Sequence, residues 1–165
     1  VEVKVVRSKR RKKTVEARLE SGVLVIRAPA AISDAELSPI IEKLKAKVEK
    51  KQRRRQFESD AALEARARGL NRRYFDGKLT WSSIRYVTNQ NKRFGSCTPS
   101  YGTIRISHRV ADMPAWVRDY VIVHELAHLV EPNHSHTFWD MVNRYPKTER
   151  ARGYLIAIGM EEDED

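Results

Sequence analysis

Apolar and polar positions alternate at the start of the chain: Val1, Val3 and Val5 are separated by charged residues, and Thr14-Val15-Glu16-Ala17-Arg18-Leu19 keeps the same period. A period of two predicts half-buried strands. Ser21-Gly22 supplies a turn into Val23-Leu24-Val25-Ile26, so a small antiparallel sheet is expected, ended by Ala28-Pro29. The spacing then changes to that of a helix. Ser33 and Glu36 have the form of a capping box that opens a helix reaching toward Arg55, with Ile40, Ile41, Leu44 and Val48 as its apolar stripe. A second helix is predicted from about Ser59 to Phe75, carried by Leu63, Ala67, Leu70 and Tyr74 and stopped at Asp76-Gly77.

Farther on, Ile84 to Thr88 and Gly102 to Ser107 read as strands, with Arg93 to Cys97 as a turn-like segment between them. Pro114 suits the first turn of the next helix, Pro132 is expected to end it, and Ser135 to cap a further one. Tyr145-Pro146 marks a boundary before a last short helix. Val117, Val121, His124 and His128 fall within about 60° on the wheel of the Pro114 helix. Ile122, Val123, Leu126, Leu129 and Val130 fill most of its remaining circumference, so this helix is expected to be buried. The elements predict an α+β fold: residues 1–56 a small sheet and basic helix, 57–160 the main domain, 161–165 an acidic tail.

Length and composition fit this picture. The chain has 165 residues, enough for one domain or a domain with an appendage, and 41% apolar with 33% charged residues is a globular composition. Cys97 is the single cysteine, which excludes an intrachain disulfide and a thiolate metal site and favours a reducing cytoplasm. No uncharged run approaches the roughly 18 to 20 residues that span a bilayer, so no membrane is expected. The net charge of +10 rises to +15 over residues 1–160, where 32 basic face 17 acidic residues. Such a surface attracts polyanions, nucleic acid among them. Lys43, Lys45, Lys47, Lys50, Lys51, Arg53, Arg54 and Arg55 concentrate it on the first helix, although a basic run can also be a solvated face.

The chemistry is in His124-Glu125-Leu126-Ala127-His128, which matches HExxH. Two histidines one helical turn apart project side by side and can grip a single ion, while the glutamate is placed to act as general base without ligating. Catalytic zinc takes three protein ligands and a water, whose pKa it lowers. Two histidines and a glutamate on a buried helix would each be costly unless paired or metal-bound. His134, beyond the Pro132 stop, is the first choice as third ligand; Glu149, His136 and Glu131 are alternatives, and His108 is expected to be structural or pocket-lining.

Several segments in order resemble the YgjP-like metal-dependent hydrolases, zincin-like relatives of SprT-like and minigluzincin-type proteins. They are Arg-Arg-Lys-Lys-Thr ending at Thr14, Arg27-Ala28-Pro29, Leu70 to Gly77, Arg93-Phe94-Gly95-Ser96-Cys97, Asp119 to His128, and Asn133-His134-Ser135 with Phe138-Trp139. The resemblance implies a metal-dependent hydrolase with His134 as third ligand. One zinc ion and a peptide, protein or nucleotide substrate are expected, in a cytoplasmic protein that acts as a monomer. The resemblance also implies a short sheet beside the active-site helix whose edge pairs with substrate, for which Ile104 to Ser107 is the candidate. Arg93, Ser96, Ile104, Arg105 and His136 are the candidate substrate contacts. Phe94 stands where the family usually has tryptophan, which keeps an aromatic packing role but no indole N–H. Two other activities stay open: a nucleoside triphosphate pyrophosphatase acting on UTP, associated with members of that family, and a nucleic-acid-associated protease of the SprT-like kind.

Overall fold

The computed structural model describes residues 1–160, apart from the side chain of Phe57. The expected acidic tail lies outside the described residues. Two compact units divide the chain, Val1–Gln56 and Phe57–Asp165.

The first unit holds strands β1 (Glu2–Ser8), β2 (Glu16–Glu20) and β3 (Val23–Pro29) in the order β1-β3-β2. Ser21 and Gly22 both take positive φ, 50° and 84°, and close the β2–β3 hairpin with Leu19 opposite Leu24. The sheet is mixed and not antiparallel as expected, because β1 joins the other edge of β3 in parallel, Val3 opposite Leu24. β3 is the strand whose Leu24, Ile26 and Ala28 are fully buried, and a central position covers it on both edges. These side chains form a core with Leu37, Ile41, Leu44 and Val48.

Those last four residues belong to helix α1 (Asp34–Tyr74). Its capping box forms as the sequence predicts: the Glu36 amide donates to Ser33 Oγ at 3.2 Å, and the Ser33 amide donates to Glu36 Oε2 at 3.1 Å. The two expected helices are one. Between Arg55 and Ser59 the charge pattern changes, but no glycine or proline interrupts the backbone, so nothing stops the helix until Asp76 (φ 54°) and Gly77 (φ 69°). The boundary between the two units falls within α1.

The second unit contains the end of α1, strands β4 (Ser83–Val87), β5 (Gly95–Thr98) and β6 (Thr103–Ser107), then helices α2 (Ala115–His128), α3 (His136–Val142) and α4 (Thr148–Ala157). The strand order is β4-β6-β5, with β6 parallel to β4 and antiparallel to β5. Two expectations are corrected here. The segment taken as a turn supplies strand β5, and β6, the expected edge, is the central strand with partners on both sides; β5 is an edge.

Helix α2 is buried along nearly its whole length, Val117, Tyr120, Val121, Ile122, Val123, Leu126 and Ala127 all being inaccessible. Pro114 precedes it as N-cap. The helix ends at His128, earlier than Pro132 required, in a tighter turn where the Leu129 and Val130 amides donate to Leu126 and Ala127. Arg66 of α1 anchors it through a bidentate pair with buried Asp119, at 2.8 and 2.6 Å. No helix among the described residues is long and apolar enough to cross a membrane.

Candidate active site

Helix α2 presents His124 and His128 one turn apart, both buried, and the loop after it returns His134 to the same point. The three Nε2 atoms form a nearly equilateral triangle with edges of 3.1, 3.2 and 3.3 Å. Hydrogen bonding alone does not account for such a triangle, since each Nε2 carries either one proton or one lone pair and at least one edge must join like with like. A tetrahedral zinc with Zn–N bonds of about 2.0–2.1 Å requires ligand edges of about 3.3–3.4 Å, which the triangle approaches.

The outer nitrogens set the tautomers. His128 Nδ1 lies 3.0 Å from the carbonyl of Glu131 and donates to it, which leaves the Nε2 lone pair pointing into the triangle. His124 Nδ1 lies 3.2 Å from the Tyr120 hydroxyl. Burial first, then the neighbouring His128 and His134 and the guanidinium of Arg152, hold His124 well below the usual imidazole range, so it is neutral and able to ligate. Aromatic rings wall the cluster: Phe138 stacks on His128 at 4.4 Å, Trp139 on His134 at 5.9 Å, and Phe94 meets His124 edge-on at 5.1 Å. Phe94 therefore keeps the packing role expected for an aromatic there. The cluster is positioned to coordinate one metal ion, and its all-imidazole donors suit zinc.

Glu125 is 1% exposed and lies against the start of β5. A Cβ built on Gly95 would come within 2.5 Å of Glu125 Oε1 and 2.9 Å of its Cδ. Only a glycine leaves room for that carboxylate.

Comparison with known proteins agrees with this geometry. Residues 77–156, which hold the strands, α2 and all three histidines, match the family described as YgjP-like, metallopeptidase domain. Those 80 of the chain's 165 residues are thus similar to a YgjP-like metallopeptidase domain. Over 61% of its length the chain is also similar in fold to a solved metallopeptidase zymogen, abylysin of Pyrococcus abyssi, at 20% identity and a TM-score of 0.52, covering 99% of that chain. No curated protein matches the chain.

The other candidate residues lie away from the triangle. His136, the alternative to His134, is 90% exposed at the start of α3 and pairs with Asp140 at 3.1 Å, and its pKa is raised by its own backbone hydrogen bond and then by Asp140. Glu149 is exposed on α4 beside Arg152. Glu131 contributes its carbonyl, as second support to His128, and not its carboxylate to the cluster. His108 is exposed, with Nδ1 3.3 Å from the Val87 carbonyl.

Among the substrate-contact candidates, Ile104 is fully buried in central β6 and Arg93 is exposed. Ser96 and Arg105 are cross-strand partners, the Arg105 Nε donating to Ser96 Oγ at 3.3 Å. By strand alternation they face away from the side on which Gly95 meets Glu125. Sequence reasoning missed Gly95 as the seat of Glu125 and Tyr120 as a partner of His124. The first had a signal in a glycine next to a buried aromatic; the second had one in its i, i+4 spacing from His124.

Proposed function

We propose that the protein is a zinc-dependent metallopeptidase in which His124, His128 and His134 hold the ion and Glu125 is the general base. The observation that carries this reading is the triangle of three imidazoles, two of them on the buried helix that also carries Glu125. Zinc bound there would supply Lewis acidity, polarising a scissile carbonyl and acidifying a water. Glu125 takes the proton from the attacking water and returns it to the leaving amine. Gly95 fixes where that carboxylate stands, and the aromatic wall limits bulk water around it.

A peptide is favoured as substrate because β5 is an edge strand that starts at Glu125, and an extended chain added to it would run past the base. The edge role assigned to Ile104–Ser107 thus passes to Gly95–Thr98. Hydrolysis of a nucleoside triphosphate is less well supported: phosphoanhydride chemistry recruits magnesium through carboxylates, and among the described residues the triangle is the metal-type cluster, with no acidic group in it. One chain supplies the whole triangle, so the site is complete within a monomer, and the single cysteine suits the cytoplasm. The basic surface gives it a polyanion as second partner.

The test is Glu125→Gln assayed against a peptide library and a panel of nucleoside triphosphates including UTP. The variant keeps one zinc per chain and loses peptide hydrolysis by about 10²-fold or more. Unchanged peptide turnover would remove Glu125 as base, and UTP hydrolysis without peptide hydrolysis would overturn the substrate assignment.

A further inference from the structure

The charge of the chain is concentrated in the Val1–Gln56 unit, where 17 basic residues face 7 acidic ones; residues 57–160 carry 15 against 10. On helix α1, Lys43, Lys47, Lys50 and Arg54 fall within about 60° of each other, and Arg53 and Lys51 extend the arc on its two sides to about 160°. All six are exposed. Between Lys43 and Arg54 the one other residue on this arc is Ala46, and Glu42 and Glu49 fall outside it; Glu58, one turn beyond Arg54, is the nearby acid on its side. The apolar stripe of Leu37, Ile41, Leu44 and Val48, which packs on β3, is centred about 130° away. The four central cations therefore form a row about 17 Å long that the unit's own core leaves uncovered.

Two further features narrow the partner. Residues 1–56 contain no Phe, Tyr or Trp, so the unit has no platform on which unpaired bases could stack, as single-strand binders require. The arc is also too broad to face a single line of phosphates. A helix of about 10–12 Å diameter fits the B-DNA major groove, about 12 Å wide, with phosphates on both walls, whereas the A-form major groove is too narrow to admit it.

We infer that the arc Lys43, Lys47, Lys50, Lys51, Arg53 and Arg54 of α1 lies in the major groove of double-stranded DNA and holds its two phosphate walls without reading sequence. This deepens the polyanion partner proposed above and stands apart from the hydrolase reading. Lys9 to Lys13, between β1 and β2, add a second cationic segment; Arg7 bonds the Ile32 carbonyl and Asp34, which places the end of β1 beside the start of α1.

The experiment is fluorescence anisotropy of the full chain with a labelled 20-base-pair DNA, titrated between 50 and 200 mM salt. Six phosphate contacts give a slope of log K against log salt of about −5, and Lys43→Gln/Lys47→Gln/Lys50→Gln reduces its magnitude by about 3. Lys43→Arg/Lys47→Arg/Lys50→Arg, equally helical, binds as the parent does and so separates charge from folding. Glu125→Gln also binds as the parent does, which keeps this test independent of catalysis. An unchanged slope in the glutamine variant overturns the inference. Equal or tighter binding of the same sequence as duplex RNA or single-stranded DNA overturns it as well.

Discussion

Gly95 and Glu125 are in such close contact that the smallest side chain on one would strike the carboxylate of the other, with a Cβ 2.5 Å from Oε1. Gly95 begins a strand whose partner register is fixed by Ile106, and Glu125 sits on a helix packed tightly on every side. Neither backbone has room to retreat, so the carboxylate itself must move.

Gly95→Ala is therefore expected to lower kcat by about 10²-fold, the scale of losing a positioned general base, while zinc content stays at one per chain. Metal analysis beside steady-state kinetics checks both parts. Loss of zinc together with activity would mean that Gly95 supports the fold and not the carboxylate.

Tyr120 supports the site from the other side, its hydroxyl 3.2 Å from His124 Nδ1. Removing such an outer partner costs about 10–100-fold in metal affinity. Tyr120→Phe should show that loss in competition with a zinc chelator, with the thermal stability of the zinc-loaded protein little changed.

The Arg66–Asp119 pair holds α2 to α1 with a carboxylate that is 9% exposed and a guanidinium that is 51% exposed. Hydrogen bonding to Asp119 raises the Arg66 pKa, with burial opposing it. Arg66→Ala leaves the carboxylate buried without its cation, for a cost of about 1–3 kcal/mol once the exposure of the arginine is allowed for. Urea denaturation measures it, and a change below about 0.5 kcal/mol would make the pair a surface contact only.

Tyr145 donates its hydroxyl to the Trp116 carbonyl at 2.8 Å, and burial, with Asp119 and Tyr74 adding to it, pushes its pKa up to about 12. The native state thus keeps this proton more tightly than the unfolded chain, whose tyrosines titrate near 10. The stabilisation is complete below pH 10 and disappears as pH rises from 10 through about 12. Unfolding free energies of Tyr145→Phe and the parent should converge across that window, and a gap that does not change with pH would refute this reading.

The HExxH helix was legible in the sequence because two periodicities coincide on it: apolar residues around the whole wheel and the i, i+4 pair His124 and His128. The choice of His134 was legible only as a preference, since the turn at Leu129 and Val130 that brings its ring back depends on packing and not on the Pro132 signal. Strand pairing was the poorest reading. β1 joins β3 in parallel and β5 takes the edge because burial of Leu24, Ile26, Ile104 and Ile106 selects β3 and β6 as central, and burial of this kind is a property of the assembled core. Gly95 was read as a turn because a glycine looks the same in sequence whether it bends the backbone or makes room for another side chain.

A crystal structure of the zinc-loaded protein with anomalous diffraction at the zinc edge tests the central claim most directly. The predicted result is one peak about 2.0–2.1 Å from Nε2 of His124, His128 and His134, with Glu125 beside it but not ligating. A peak that instead draws in His136 or Glu149, or that takes Glu125 as a fourth protein ligand, would contradict it.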